Sequence, residues 1–185
     1  DQAYNALSYF FMAVYNHDLI LEGFKRPRKK KLKPVVLTVS EVRKIAISAE
    51  NLKHRLMIEL AYTAGLRVSE LVVVKVQHMN LDKLMLFVPG LGKLGARTTI
   101  FSGGLKDALQ RQVGNKKPGD YLFPSERGGN LTTRSVTKFF KNALTSSGVE
   151  KQVTPHSLRQ SFTAFMLAKG TNRFAVQTLL GRRGL

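Results

Sequence analysis

Nine consecutive residues decide how this chain can be divided. Residues 25–33 read KRPRKKKLK, seven Lys or Arg in nine positions, and Pro34 follows directly. Pro27 and Pro34 deny the stretch a regular helix, and like charges at that density repel one another, so it cannot lie inside a packed core. Folded structure must form on either side of it. The expected organisation is a short piece over 1–24, a basic linker over 25–36, and one domain over 37–185. Lys25, Arg26, Arg28, Lys29, Lys30, Lys31 and Lys33 then form a cationic strap suited to lie along a phosphate backbone. The plainer reading is a solvated tether.

The bias extends beyond the linker. Thirty Lys and Arg stand against twelve Asp and Glu among 185 residues, a formal charge of +18. Such an excess predicts a polyanionic partner, with nucleic acid the first candidate and an acidic membrane surface the second. A basic protein with no specific partner is the bland alternative. Apolar residues at 43% are enough for a core. Cysteine is absent, which excludes disulfides, thiolate chemistry and Cys-ligated zinc, and the four histidines lack carboxylate neighbours, so no metal and no cofactor is expected. No apolar run approaches a membrane span, and an intracellular location is the default. The chain starts at Asp1 rather than Met and reads as a fragment.

Residues 2–21 carry Ala6, Leu7, Phe10, Phe11, Val14 and Leu19 at helical spacing, predicting one amphipathic helix. Thr38-Val-Ser-Glu41 has the form of a capping box, with a helix expected to about Ala49. A second helix is expected over 53–64, ended by Gly65, and a third over 70–74, capped by Ser69. The runs LMLFV at 84–88 and RTTIF at 97–101 flank the glycine-rich PGLGKLGA and predict a β-hairpin or the edge of a small sheet. Helices are expected again at about 104–113, 132–146, 156–169 and 172–180. The fold class is α+β, mainly helical, with one small antiparallel sheet.

The Walker phosphate loop, HExxH and GxSxG are all missing. The chemical candidates are basic instead. Arg67 follows a glycine at a helix end, Lys93 sits at the hairpin tip, and His156 and Arg159 lie three apart, which on a helix puts them one turn apart on one face. Pro155 suits the first turn of that helix and Thr154 its cap. Singly, Arg67 reads as half of a surface ion pair with Glu70, Lys93 as a solvated turn lysine, and His156 as a structural histidine. Together, two Arg, a Lys and a His form a phosphate cradle. Arginine holds two oxygens in a fork, lysine protonates a leaving oxygen, and histidine shuttles a proton.

At these residues the chain resembles the tyrosine recombinases, which include the phage integrases, the Xer resolvases and the integron integrases. AYTAGLRVSEL at 61–71 resembles the family's first arginine box, with Arg67 as a phosphate-binding arginine and Glu70 as its acidic support. TPHSLRQSFTAFMLAKG at 154–170 resembles the H-x-x-R box, with His156 and Arg159. DYLFP at 120–124 with LTTRSVTKFFKNAL at 131–144, and FAVQTLLG at 174–181, resemble the segments between and after the boxes. The resemblance implies that 1–24 ends a core-binding domain and that 37–185 is a catalytic domain. It also implies that the partner is duplex DNA with inverted half-sites, bound by a dimer or tetramer of the protein. Arg97 and Arg134 join the linker cations as expected DNA contacts.

Three departures stand out. Lys93 falls in K-L-G-A-R, closer to the spacing of lambda-like integrases than to the G-K-G turn of the Xer type. Arg182 occupies the place usual for His or Trp as the last active-site residue. The nucleophilic tyrosine is expected a short way beyond Arg182, and none of Tyr4, Tyr9, Tyr15, Tyr62 and Tyr121 matches it. The fragment itself is therefore expected not to cleave DNA. Three alternatives stay open: a non-cleaving DNA-binding relative, a type IB topoisomerase, and a basic RNA-binding or ribosomal protein.

Overall fold

The computed structural model describes residues 2–17, 34–90 and 95–181. The chain divides into two compact units, Asp1–Lys33 and Pro34–Leu185. In the first, the described residues form α1 (Gln2–Tyr15), none of which is buried. Phe10, Phe11 and Tyr15 gather toward its end, with the ring of Tyr15 5.4 Å from Phe11 and 6.0 Å from Phe10. The expected helix to residue 21 stops sooner. Asn16 takes φ +49°, a left-handed conformation that asparagine tolerates, and 18–21 lie outside the described residues. So do all seven linker cations from Lys25 to Lys33.

The second unit holds α2 (Val39–Ile47), α3 (Leu52–Thr63), α4 (Val68–Leu71), α5 (Lys106–Val113), α6 (Thr133–Ser146), α7 (Pro155–Ala168) and α8 (Arg173–Leu180). It also holds β1 (Met79–Asn80), β2 (Met85–Val88) and β3 (Arg97–Ile100). This is the mainly helical α+β architecture that the residue pattern predicts. The helix starts follow from local chemistry. Thr38 Oγ1 accepts from the Glu41 amide at 3.2 Å while Glu41 accepts from the Thr38 amide at 2.7 Å, completing the capping box. Asn51, Thr132 and Asn172 accept in the same way at the starts of α3, α6 and α8.

α3 is the central element. It buries Leu56, Met57, Ile58, Leu60, Ala61 and Tyr62, and helices apolar on so many sides belong inside a core. It packs against α2 and α7. The sheet has the order β1-β2-β3, antiparallel throughout, one strand more than a hairpin. Val88 pairs with Arg97 and Leu86 with Thr99. β3 therefore turns Arg97 and Thr99 inward and leaves Ile100 40% exposed, the reverse of what its apolar residue alone would dictate. Hydrogen bonding explains the reversal: Thr99 Oγ1 donates to the Ala64 carbonyl at 3.0 Å, and Arg97 has a buried carboxylate to meet. The third helix also differs from expectation. α4 begins at Val68, with Arg67 rather than Ser69 in the cap position, because Glu70 reaches back to accept from the Arg67 amide at 2.7 Å.

Candidate active site

The turn between α3 and α4 sets the site. Gly65 ends α3 at φ +60°, and a Cβ there would stand 2.6 Å from Phe162 Cδ1, so both conformation and space call for glycine. The chain then turns Arg67 toward Glu70, whose carboxylate is 2% exposed. Three guanidinium groups meet that carboxylate. Arg97 forks onto both oxygens at 2.7 and 2.8 Å. Arg67 Nη1 donates at 2.9 Å, and Arg159 Nη1 lies 3.4 Å away. Burial by itself would push the Glu70 carboxyl up. The hydrogen bonds from Arg97 and the Arg67 amide, with the charges of Arg97 and Arg159, outweigh it and hold the group below its ordinary value. The carboxylate stays ionised, and the cluster keeps an excess of two positive charges.

Arg159 comes from α7, which Pro155 opens and Ser157 caps by accepting from the Thr154 amide at 3.2 Å. Its side chain is fully buried. Nη1 donates to the Gly65 carbonyl at 2.7 Å and Nη2 to the Leu180 carbonyl at 2.5 Å. His156, one turn earlier, is exposed, so the pair that three-residue spacing puts on one face differs sharply in depth. Arg97 Nε donates to the Leu179 carbonyl at 2.8 Å. Two guanidinium groups thus sit on the last carbonyls of α8, where a cation meets the negative end of the helix dipole. Of the three arginines on Glu70, only Arg67, with a quarter of its side chain exposed, opens to solvent.

The structure brings Arg67, Glu70 and Arg159 together, from sequence segments almost a hundred positions apart. It places Arg97, expected as a DNA contact, inside the domain instead, with 6% of its side chain exposed. A strand-opening arginine in so basic a chain gives no sign of being buried. Lys93 and Arg182 lie outside the described residues. Arg134 is exposed on α6, and Lys138 and Lys141 share its exposed stripe. The sequence reading passed over these two lysines, although the spacing of four and three was the signal. A hollow of about 790 Å³ between α2, α3 and α5 holds none of these residues. Among the described residues no group of three His, Cys, Asp or Glu could hold a metal, and no helix is long and apolar enough to cross a membrane.

Comparison with known proteins gives this geometry a family. The pattern of the phage integrase family matches residues 35–184, nearly the whole second unit. The chain belongs to the phage integrase family. It is 32% identical over 180 residues to tyrosine recombinase XerD of Listeria innocua serovar 6a, covering 90% of this chain and 60% of that protein. It is 37% identical over 169 residues to tyrosine recombinase XerA of Pyrococcus horikoshii, covering 89% and 58%. This phage integrase family chain therefore spans about three fifths of the length of these relatives. Among solved structures, a XerA recombinase crystal structure superposes with a TM-score of 0.73 at 24% identity, over 98% of this chain and 66% of that one. A lambda integrase tetramer bound to a Holliday junction superposes with a TM-score of 0.76 at 24% identity, over 99% and 58%. At those identities the superpositions establish the fold alone.

Proposed function

We propose that this chain is the catalytic domain of a tyrosine recombinase that cuts and rejoins duplex DNA through a 3′-phosphotyrosyl intermediate. The observation that carries the reading is the shared carboxylate of Glu70, which joins the arginine of one family box to the arginine of the other around an excess of positive charge. A phosphodiester brings one negative charge and gains a second as phosphorus becomes five-coordinate, so this excess suits the transition state.

In this reading a tyrosine beyond Leu185 attacks the scissile phosphorus. The new O–P bond replaces the bond to the 5′-oxygen, and the phosphotyrosyl link conserves the energy for rejoining. Arg67 and Arg159 hold the non-bridging oxygens, and Glu70 orients Arg67. Lys93 protonates the departing 5′-oxygen, His156 assists proton transfer at the tyrosine oxygen or the phosphate, and Arg182 takes the last site position. Arg134 and the linker cations contact phosphates. The names of the relatives support the recombinase activity, and the lambda integrase structures, a dimer on a core site and a tetramer on a Holliday junction, support assembly of two to four copies on DNA, which this reading takes to carry inverted half-sites. An intracellular, DNA-associated location follows from the same reading.

The test is a nicked duplex that traps covalent protein on DNA, used with the protein extended through a tyrosine beyond residue 185. Arg67→Ala should abolish the trapped adduct and keep most duplex binding, because in this reading Arg67 meets the scissile phosphate while its recorded side-chain partner within the chain is Glu70. Adduct at the unsubstituted level in that variant would sink the reading.

A further inference from the structure

Arg97 stands apart from the phosphate-binding set and is better placed to govern it than to join it. Its guanidinium has three recorded acceptors: both oxygens of Glu70, and the Leu179 carbonyl at the end of α8. The side chain passes beside Gly181, which ends α8 in the left-handed conformation at φ +61°. A Cβ at that glycine would lie 2.9 Å from Arg97 Cδ. One rigid, planar group thereby fixes the distance between the carboxylate that orients Arg67 and the point where the backbone leaves α8. Lysine, with a single nitrogen on a flexible stem, cannot span all three acceptors in that fork geometry.

The arrangement is a closed loop of contacts. Glu70 holds Arg67 through its carboxylate, Arg97 holds Glu70 and Leu179, and Arg159 holds Leu180 and Gly65. α8 makes its strand contact with β3, the strand that Arg97 opens. Buried, charge-assisted hydrogen bonds of this kind are strong and directional, and loss of one side leaves a buried carbonyl or charge without its donor.

We infer that Arg97 is a positioning residue, which couples the last turn of α8 to the Glu70 carboxylate and so sets Arg67 for phosphate without touching DNA itself. The inference rests on the phosphate-binding reading of Arg67 and Arg159.

The experiment uses this chain, Arg97→Lys, and two nicked duplexes differing only in a 3′-phosphate or a 3′-hydroxyl at the nick. The unsubstituted chain should prefer the 3′-phosphate by about tenfold, the worth of one well-placed charged contact. Arg97→Lys should bring that preference close to unity, with affinity for the 3′-hydroxyl duplex within about twofold. Hydrogen exchange should rise in the last turn of α8 while α3 and α7 stay protected. If the unsubstituted chain shows no preference, the phosphate-binding reading itself fails. If the preference is present and survives Arg97→Lys, or falls together with all duplex binding, the positioning role is overturned. Should the lysine variant not fold, exchange in the unsubstituted chain under rising urea decides the matter. Coupling requires the last turn of α8 and the Arg67–Leu71 segment to open together below the global transition, and separate opening overturns it.

Discussion

The carbonyl oxygen of Gly65 accepts from Nη1 of Arg159 at 2.7 Å, so the turn after α3 and the middle of α7 hold one another directly. The conformation of this glycine therefore decides where a buried charge sits. Gly65→Ala must carry a left-handed residue, costing about 1–2 kcal/mol, and must also push aside the Phe162 ring, where overpacking costs about 1–3 kcal/mol. Urea denaturation should show a loss of at least about 2 kcal/mol. Adding Phe162→Leu should recover the packing part only. Wild-type stability in the single variant would contradict the contact.

Glu70→Gln keeps the shape of the side chain and removes the only negative charge recorded among three guanidinium groups. Breaking a buried ion pair from one side costs about 3–5 kcal/mol, and the fall in stability should lie in that range. Acid should act in the same direction. The folded Glu70 value lies below the ordinary 4.5, so between the two values the unfolded chain binds more protons. Its stabilising share is complete above pH 4.5 and is lost as pH falls through the folded value. The acid limb of the stability curve should be shallower in Glu70→Gln, and equal limbs would deny Glu70 that share.

His54 gives a second limb at milder pH. Its ring stacks on Phe139 with centroids 4.0 Å apart, and its Nδ1 is buried with no hydrogen-bond partner among the described residues. Burial and the nearby Lys53 charge hold its pKa below 6.5. The unfolded histidine takes a proton first on acidification, so stability falls as pH drops from 6.5 through the folded value. His54→Phe keeps the stack and should remove this slope. A comparison of urea midpoints across that range checks it.

The exposed stripe of Arg134, Lys138 and Lys141 on α6 makes a prediction about salt. Each phosphate neutralised contributes about −0.9 to the slope of log K against log salt. Replacing all three by Ala should make the slope shallower by about 2.7 if each meets one phosphate. Fluorescence anisotropy over a salt series measures it. An unchanged slope would move the DNA-binding face elsewhere.

Local signals were legible in the sequence where the chemistry is local. The Thr38–Glu41 box, the glycine stop at Gly65 and Pro155 at the head of α7 depend on neighbours three or four residues away, and each is present. The third helix starts two residues and ends three residues earlier than expected, because Ser69 has the chemistry of a cap but lies inside α4, and only the side chain of Glu70 selects Arg67 for that position. The burial of Arg97 and Arg159 was not legible. Charge says that an arginine seeks an anion, but not whether that anion is a distant phosphate or a carboxylate 27 positions away in the same chain. Inward-facing Thr99 opposite Leu86 is of the same kind, decided by the Ala64 carbonyl just past the end of α3, which no strand pattern reveals.

The stretch that enters the second unit at Pro34 is also tied down at unusual points. The Leu37 amide donates to Ser161 Oγ at 2.8 Å, and Ser161 lies on α7 two residues past Arg159. Lys151 Nζ holds the Val36 carbonyl at 2.9 Å and Glu41 at 2.8 Å. In mechanical terms this is an anchor bolted to the helix that carries the buried arginine. Tension applied along the chain at Pro34 meets the Lys151 hold on Val36 and, one residue later at Leu37, α7 itself, so a pull from the linker side reaches the element that presents Arg159 before α2 has begun.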